Sequence, residues 1–159
     1  PDLNMENHLS KRDKFWADVP TNSDGDVAWP KDQDECRELA SDIVGARVIG
    51  AIEWMLEDKL RVAAGEADDP EEDAACGEVF ASMNDEQRAA VEGLLRSLCF
   101  NSLYWMLVKL RDCPDLEVDI SVEPYSDGEP LTKLGLNETE LHALYFDWVE
   151  KFSDHRDDV

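Results

Sequence analysis

What the chain lacks narrows its chemistry first. Its 159 residues hold three histidines, His8, His142 and His155, and no two of them stand at a metal-ligand spacing. The four cysteines, Cys36, Cys76, Cys99 and Cys113, are widely separated, with no C-x-x-C pair, so neither a zinc knuckle nor a compact disulfide framework is expected. There is no G-x-S-x-G elbow, no H-E-x-x-H, no G-x-x-x-x-G-K-[ST] loop and no G-x-G-x-x-G fingerprint. Catalysis would need a site without a local motif, and no cofactor or metal is expected.

Cations are scarce as well, with 15 Lys and Arg against 38 Asp and Glu, a net charge of −23. A chain without a basic stripe cannot neutralise phosphates, so direct nucleic-acid binding is excluded as an expectation. The longest apolar windows are interrupted by Arg47, Glu53 or Asn101 and fall short of the roughly 30 Å of a hydrocarbon core. A basic n-region followed by an apolar h-region is not visible either. These absences, with dispersed thiols suited to a reducing compartment, lead to the expectation of a soluble, cytoplasmic protein.

Enough apolar mass remains to fold. Hydrophobic residues make up 43% of the chain and include five tryptophans, so one globular domain over residues 5–153 is expected. Residues 1–4, ahead of Met5, read as an expression scar, and 154–159 as a frayed tail.

The periodicity predicts a mainly α (α+β) architecture: two long packed helices, a C-terminal helix and a small antiparallel β-hairpin. Residues 7–33 are rich in turn formers and read as an irregular arm pinned by Phe15, Trp16 and Trp29. Within it, Asn22, Asp24 and Asp26 imitate the start of a calcium loop, but Val27 replaces the obligatory glycine and Gln33 the bidentate glutamate, which favours a plain turn. The first long helix runs from Asp34 to about Ala64, capped by Asp32 or Asp34. It is apolar on most faces between Ile43 and Leu56, which predicts deep burial, and Ala46 and Gly50, with Gly45, would admit a close neighbour. The second runs from Asn84 to about Cys113, opened by an Asn84/Gln87 capping box, with Leu94, Leu98, Trp105 and Val108 among its apolar stripes.

From Leu116 to Val122 apolar and acidic residues alternate, predicting a half-buried strand with an acidic outer face that ends at Pro124. Ser126-Asp127-Gly128 would turn it toward 131–134. A second capping box at Asn137 and Glu140 opens the last helix, whose inward residues are Leu141, Leu144, Tyr145, Trp148, Val149 and Phe152.

The acidity is concentrated. Residues 66–86 carry nine carboxylates and no cation, six of them in the run EADDPEED from Glu66 to Asp73. A solvated linker is the plain account of such a run. The functional account is a non-enzymatic protein that docks on a basic protein partner, as an immunity protein or a nucleic-acid mimic would, steered by charge. Its contacts would be Asp68, Asp69, Glu71, Glu72 and Asp73, with Glu117, Asp119 and Glu123 on the strand.

Two alternatives remain. Arg47, Glu53, Asn101 and Tyr104 could line a small-ligand or catalytic pocket between the long helices, although a structural polar network or a snorkelling arginine explains them more simply. A homo-oligomer joined at the hairpin edge is opposed by the edge's acidic residues.

Overall fold

A computed structural model of the chain describes residues 9–64, 66, 77–111, 121–126, 129–130, 133–135 and 141–154. The described elements are mostly helical.

Helix α1 (Lys11–Asp18) occupies part of the stretch expected to be irregular. A capping box starts it: the Asp13 amide donates to Ser10 Oγ at 3.1 Å, and the Ser10 amide donates to Asp13 Oδ2 at 3.3 Å. Beyond Val19 the arm is irregular, and a loop there closes on itself. Asn22 Oδ1 accepts from the amides of Asp24 and Asp26 at 3.0 and 2.9 Å, Thr21 bridges Val27, and Gly25 takes φ +87° at the tip. The Asn22 carbonyl that would lead a calcium loop is thus engaged in an Asx turn.

Helix α2 (Gln33–Ala64) begins under Asp32, whose Oδ1 accepts from the amides of Asp34 and Glu35 at 3.0 and 3.1 Å. Residues 77–82 are helical. Helix α3 (Asp85–Arg111) opens with the expected reciprocal pair, the Gln87 amide donating to Asn84 Oδ1 at 2.9 Å and the Asn84 amide to Gln87 Oε1 at 3.0 Å. Helix α4 (Leu141–Phe152) follows the strands; the capping residues assigned to it, Asn137 and Glu140, lie outside the described residues.

The strands make two nested antiparallel pairs. β1 (Ser121–Val122) pairs with β4 (Leu134–Gly135), and β2 (Tyr125–Ser126) pairs with β3 (Glu129–Pro130). β1 ends before Pro124, as the sequence suggested, and pairing resumes at Tyr125, with Glu123 and Pro124 outside both ladders. The strand residues before Ser121 and the Asp127-Gly128 turn lie outside the described residues.

By their contacts the described residues group into two compact units, one reaching Ile49 and including Leu107–Asp154, the other Gly50–Met106; α2 and α3 each contribute to both. In the first unit, α4 packs its inner face, Leu144, Tyr145, Trp148, Val149 and Phe152, into the core. Trp148 lies directly on Gly45 of α2: a Cβ there would fall 2.8 Å from the indole nitrogen and nearer still to the ring carbons. The close approach expected of this small-residue stretch therefore occurs at Gly45, with Ala46 buried beside it. Helix α1 also packs on α4, Phe15 meeting Phe152 edge-on at 5.0 Å. Lys11 Nζ donates to the Ser153 and Glu150 carbonyls at 2.7 and 3.3 Å, satisfying orphan acceptors at the end of α4.

In the second unit, Ile52 and Leu56 of α2 and Phe100 of α3 are buried. Contrary to the expectation of burial on most faces, α2 is two-sided here: Ala51, Trp54 and Met55 are exposed, Trp54 to 68%. An apolar residue is free to face water, and only contact with a neighbour removes it.

Candidate functional site

The acidic hairpin face is the candidate site that the described residues reach. Asp68, Asp69, Glu71, Glu72 and Asp73 lie outside them, as do Glu117 and Asp119. Glu66, at the head of the acidic run, is exposed and tied back to α2, its amide donating to the Arg61 carbonyl at 2.9 Å. Glu123 is exposed, and its neighbours show why. Ser121, Glu123 and Tyr125 face solvent while Val122 is half-buried and Pro124 buried, so the period of two continues through the proline.

Tyr125 thereby stands on the same face as Glu123, 57% exposed. Its carbonyl accepts from Trp29 Nε1 at 3.0 Å, which pins the hairpin to the arm and fixes the backbone under the ring. Tyr125 was absent from the sequence-derived contacts. Extending the odd-numbered alternation of Glu117, Asp119 and Glu123 by one step would have found it. Chemically, the pair offers a carboxylate beside a large, half-apolar ring with a hydroxyl, a combination that holds a cationic side chain at one end and an apolar stem at the other.

The polar residues assigned to a pocket are differently placed. Arg47 is exposed, its guanidinium 4.6 Å from the Trp16 ring centroid, so the charge rests on an aromatic face at the surface. Glu53 is buried on α2. Asn101 is half-buried and donates to Ser97 Oγ at 3.0 Å on its own helix. Tyr104 meets Trp105 edge-on at 5.3 Å.

Two concavities lie among the described residues, and none of those four residues lines either. The first, of about 580 Å³, runs between α2 and α4 with Asp34, Glu38, Asp42 and Asp147 on its walls and Leu144 and Trp148 at its base. Its cations are already engaged, Arg37 with Asp34 at 2.9 Å and Lys151 with Asp42 at 2.5 Å. The Trp148 indole donates to Ser41 Oγ at 3.3 Å, which sets the ring against α2. The second, of about 460 Å³, is almost wholly apolar and is lined by Val62, Ala63, Val79, Phe80, Met83, Val91 and Leu95, with Lys59 at its margin.

Among the described residues, the titratable groups with shifted equilibria are not poised for nucleophilic chemistry. Burial pushes the thiols of Cys36 and Cys99 up, which suppresses the thiolate, and burial raises the Tyr145 phenol strongly. Among the described residues, no three His, Cys, Asp or Glu side chains cluster as a metal site, and no helix is long and apolar enough to cross a membrane. No family model matches the chain, and neither a curated protein nor a solved structure matches it.

Proposed function

We propose that this chain acts by binding, docking an acidic surface on a basic protein partner in the manner of an immunity protein or a nucleic-acid-mimicking inhibitor. The observation that carries the reading is Tyr125, held half-exposed beside Glu123 on a hairpin that Trp29 fastens. Charge alone speeds encounter, whereas affinity is concentrated in a few aromatic anchors, so an acidic docking surface needs a residue of this kind. The net charge of −23 supplies the steering, with Asp68, Asp69, Glu71, Glu72, Asp73, Glu117 and Asp119 as further contacts.

The test begins with affinity capture of a basic partner and continues with its association kinetics. Neutralising Asp68, Asp69, Glu71, Glu72 and Asp73 together is expected to slow association by about tenfold or more at low salt, with the fold intact. Tyr125→Ala is expected to accelerate dissociation instead. Partner binding that ignores both variants and is insensitive to salt would overturn the proposal.

A further inference from the structure

Helix α3 carries a long face that is exposed among the described residues. Leu94 is 60% exposed, Leu98 54% and Trp105 57%, and with Gln87 and Ala90 they fall on one stripe of the helix. Met106 flanks it, also exposed. The stripe contains no carboxylate, although the chain has 38.

Gly93 sharpens the point. It stands in the interior of α3, where glycine is a poor helix former, and a Cβ built on it meets nothing within 4 Å. Among the described residues nothing asks for its small size. Ala90, Gly93, Leu94 and Ser97 are spaced as the four corners of a hole into which a side chain from a facing helix inserts, and two of those corners are the small residues Ala90 and Gly93. The bulkiest residue of the stripe, Trp105, lies three turns further on.

We propose that the occupant of this face is a second copy of the chain, with the two α3 helices antiparallel about a two-fold axis near Leu98 and Asn101. A small hole at one end of a helix and a large knob at the other become complementary under that symmetry and under no translation: Trp105 of each copy enters the Ala90–Gly93–Leu94–Ser97 hole of its partner. Asn101, half-buried and bonded to Ser97, lies at the centre, where a polar residue fixes register. Charge selects the same occupant. Two copies repel through most of their surface, and this stripe brings no carboxylate against another. A basic partner gains nothing from it.

The experiment is light-scattering mass measurement of the full chain over a wide dilution series at low and moderate salt. The expected mass doubles with concentration, and salt tightens the dimer by screening its repulsion, opposite in sign to docking on a basic partner. Leu98→Asp, at an exposed position, is expected to raise the dimer dissociation constant at least about 100-fold by placing like charges across the axis. Gly93→Ala is expected to weaken the dimer several-fold while raising the melting temperature of the monomer, an effect a merely disruptive change could not produce. Tyr125→Ala leaves dimer mass unchanged, which separates this inference from the proposed docking function. A monomer mass at every concentration and salt would overturn it, as would a dimer indifferent to Leu98→Asp and Gly93→Ala.

Discussion

Gly45 and Gly93 sit on the two long helices, and a methyl group added to each meets opposite surroundings. At Gly45 it would enter the Trp148 indole, a rigid ring held by its hydrogen bond to Ser41 and unable to retreat without moving α4. At Gly93 it would meet open space. Gly45→Ala is therefore expected to destabilise the fold by about 2 kcal/mol, overpacking exceeding the gain in helix propensity. Gly93→Ala is expected to stabilise the monomer by about 0.5–1 kcal/mol. Urea denaturation of both variants checks the pair, and two shifts of the same sign would show that the Gly45 contact is softer than described.

Among the elements, α1 depends most visibly on a single side chain. Lys11 holds two carbonyls at the end of α4 with one ammonium group, and its replacement by Met keeps the aliphatic stem but leaves those acceptors to water. A loss of about 1 kcal/mol is expected, with an unchanged denaturant slope. A loss confined to the residues of α1 in hydrogen exchange would show that the element detaches before the rest unfolds. The same scale explains what was legible beforehand. Helices α2 and α3 were readable because their starts are written locally, in Asp32 and in the Asn84/Gln87 box. Helix α1 has such a box too, but Asp13 takes the place usually given to Glu or Gln, and the turn formers after Val19 drew the whole stretch into one irregular arm. Exposure was the least legible property. The apolar residues of α3 cover more of its circumference than one neighbour can bury, and the sequence of a helix does not say which side its neighbour takes. Arg47 follows the same logic: its apolar run is real, yet the run also passes across the exposed side of α2, where Trp16 receives the guanidinium.

At the scale of the whole molecule, charge acts against compactness. A chain of −23 with nine carboxylates and no cation across residues 66–86 repels itself, and pairs such as Lys151 with Asp42 offset little of that. Raising sodium chloride from about 0.02 M to about 0.3 M shortens the screening length from about 20 Å to under 10 Å and is expected to raise the melting temperature by several degrees. A melting temperature that stays flat at a fixed monomer concentration would mean that the carboxylates stand far enough apart to ignore one another. The experiment also sets the baseline for the two association reactions, which respond to salt in opposite directions.

The clasp of α1 on α4 has a consequence for the order in which the molecule is assembled. Lys11 and Ser153 are 142 residues apart, so during synthesis α1 emerges long before the helix it covers exists. Its own capping box can keep it helical only marginally, since eight residues are too few to be stable alone. Phe15 must therefore wait in the open until α4 leaves the ribosome, making the docking of α1 on α4 a late event of folding. A ribosome stalled before residue 141 should hold a chain whose opening segment is still within reach of a protease or a chaperone.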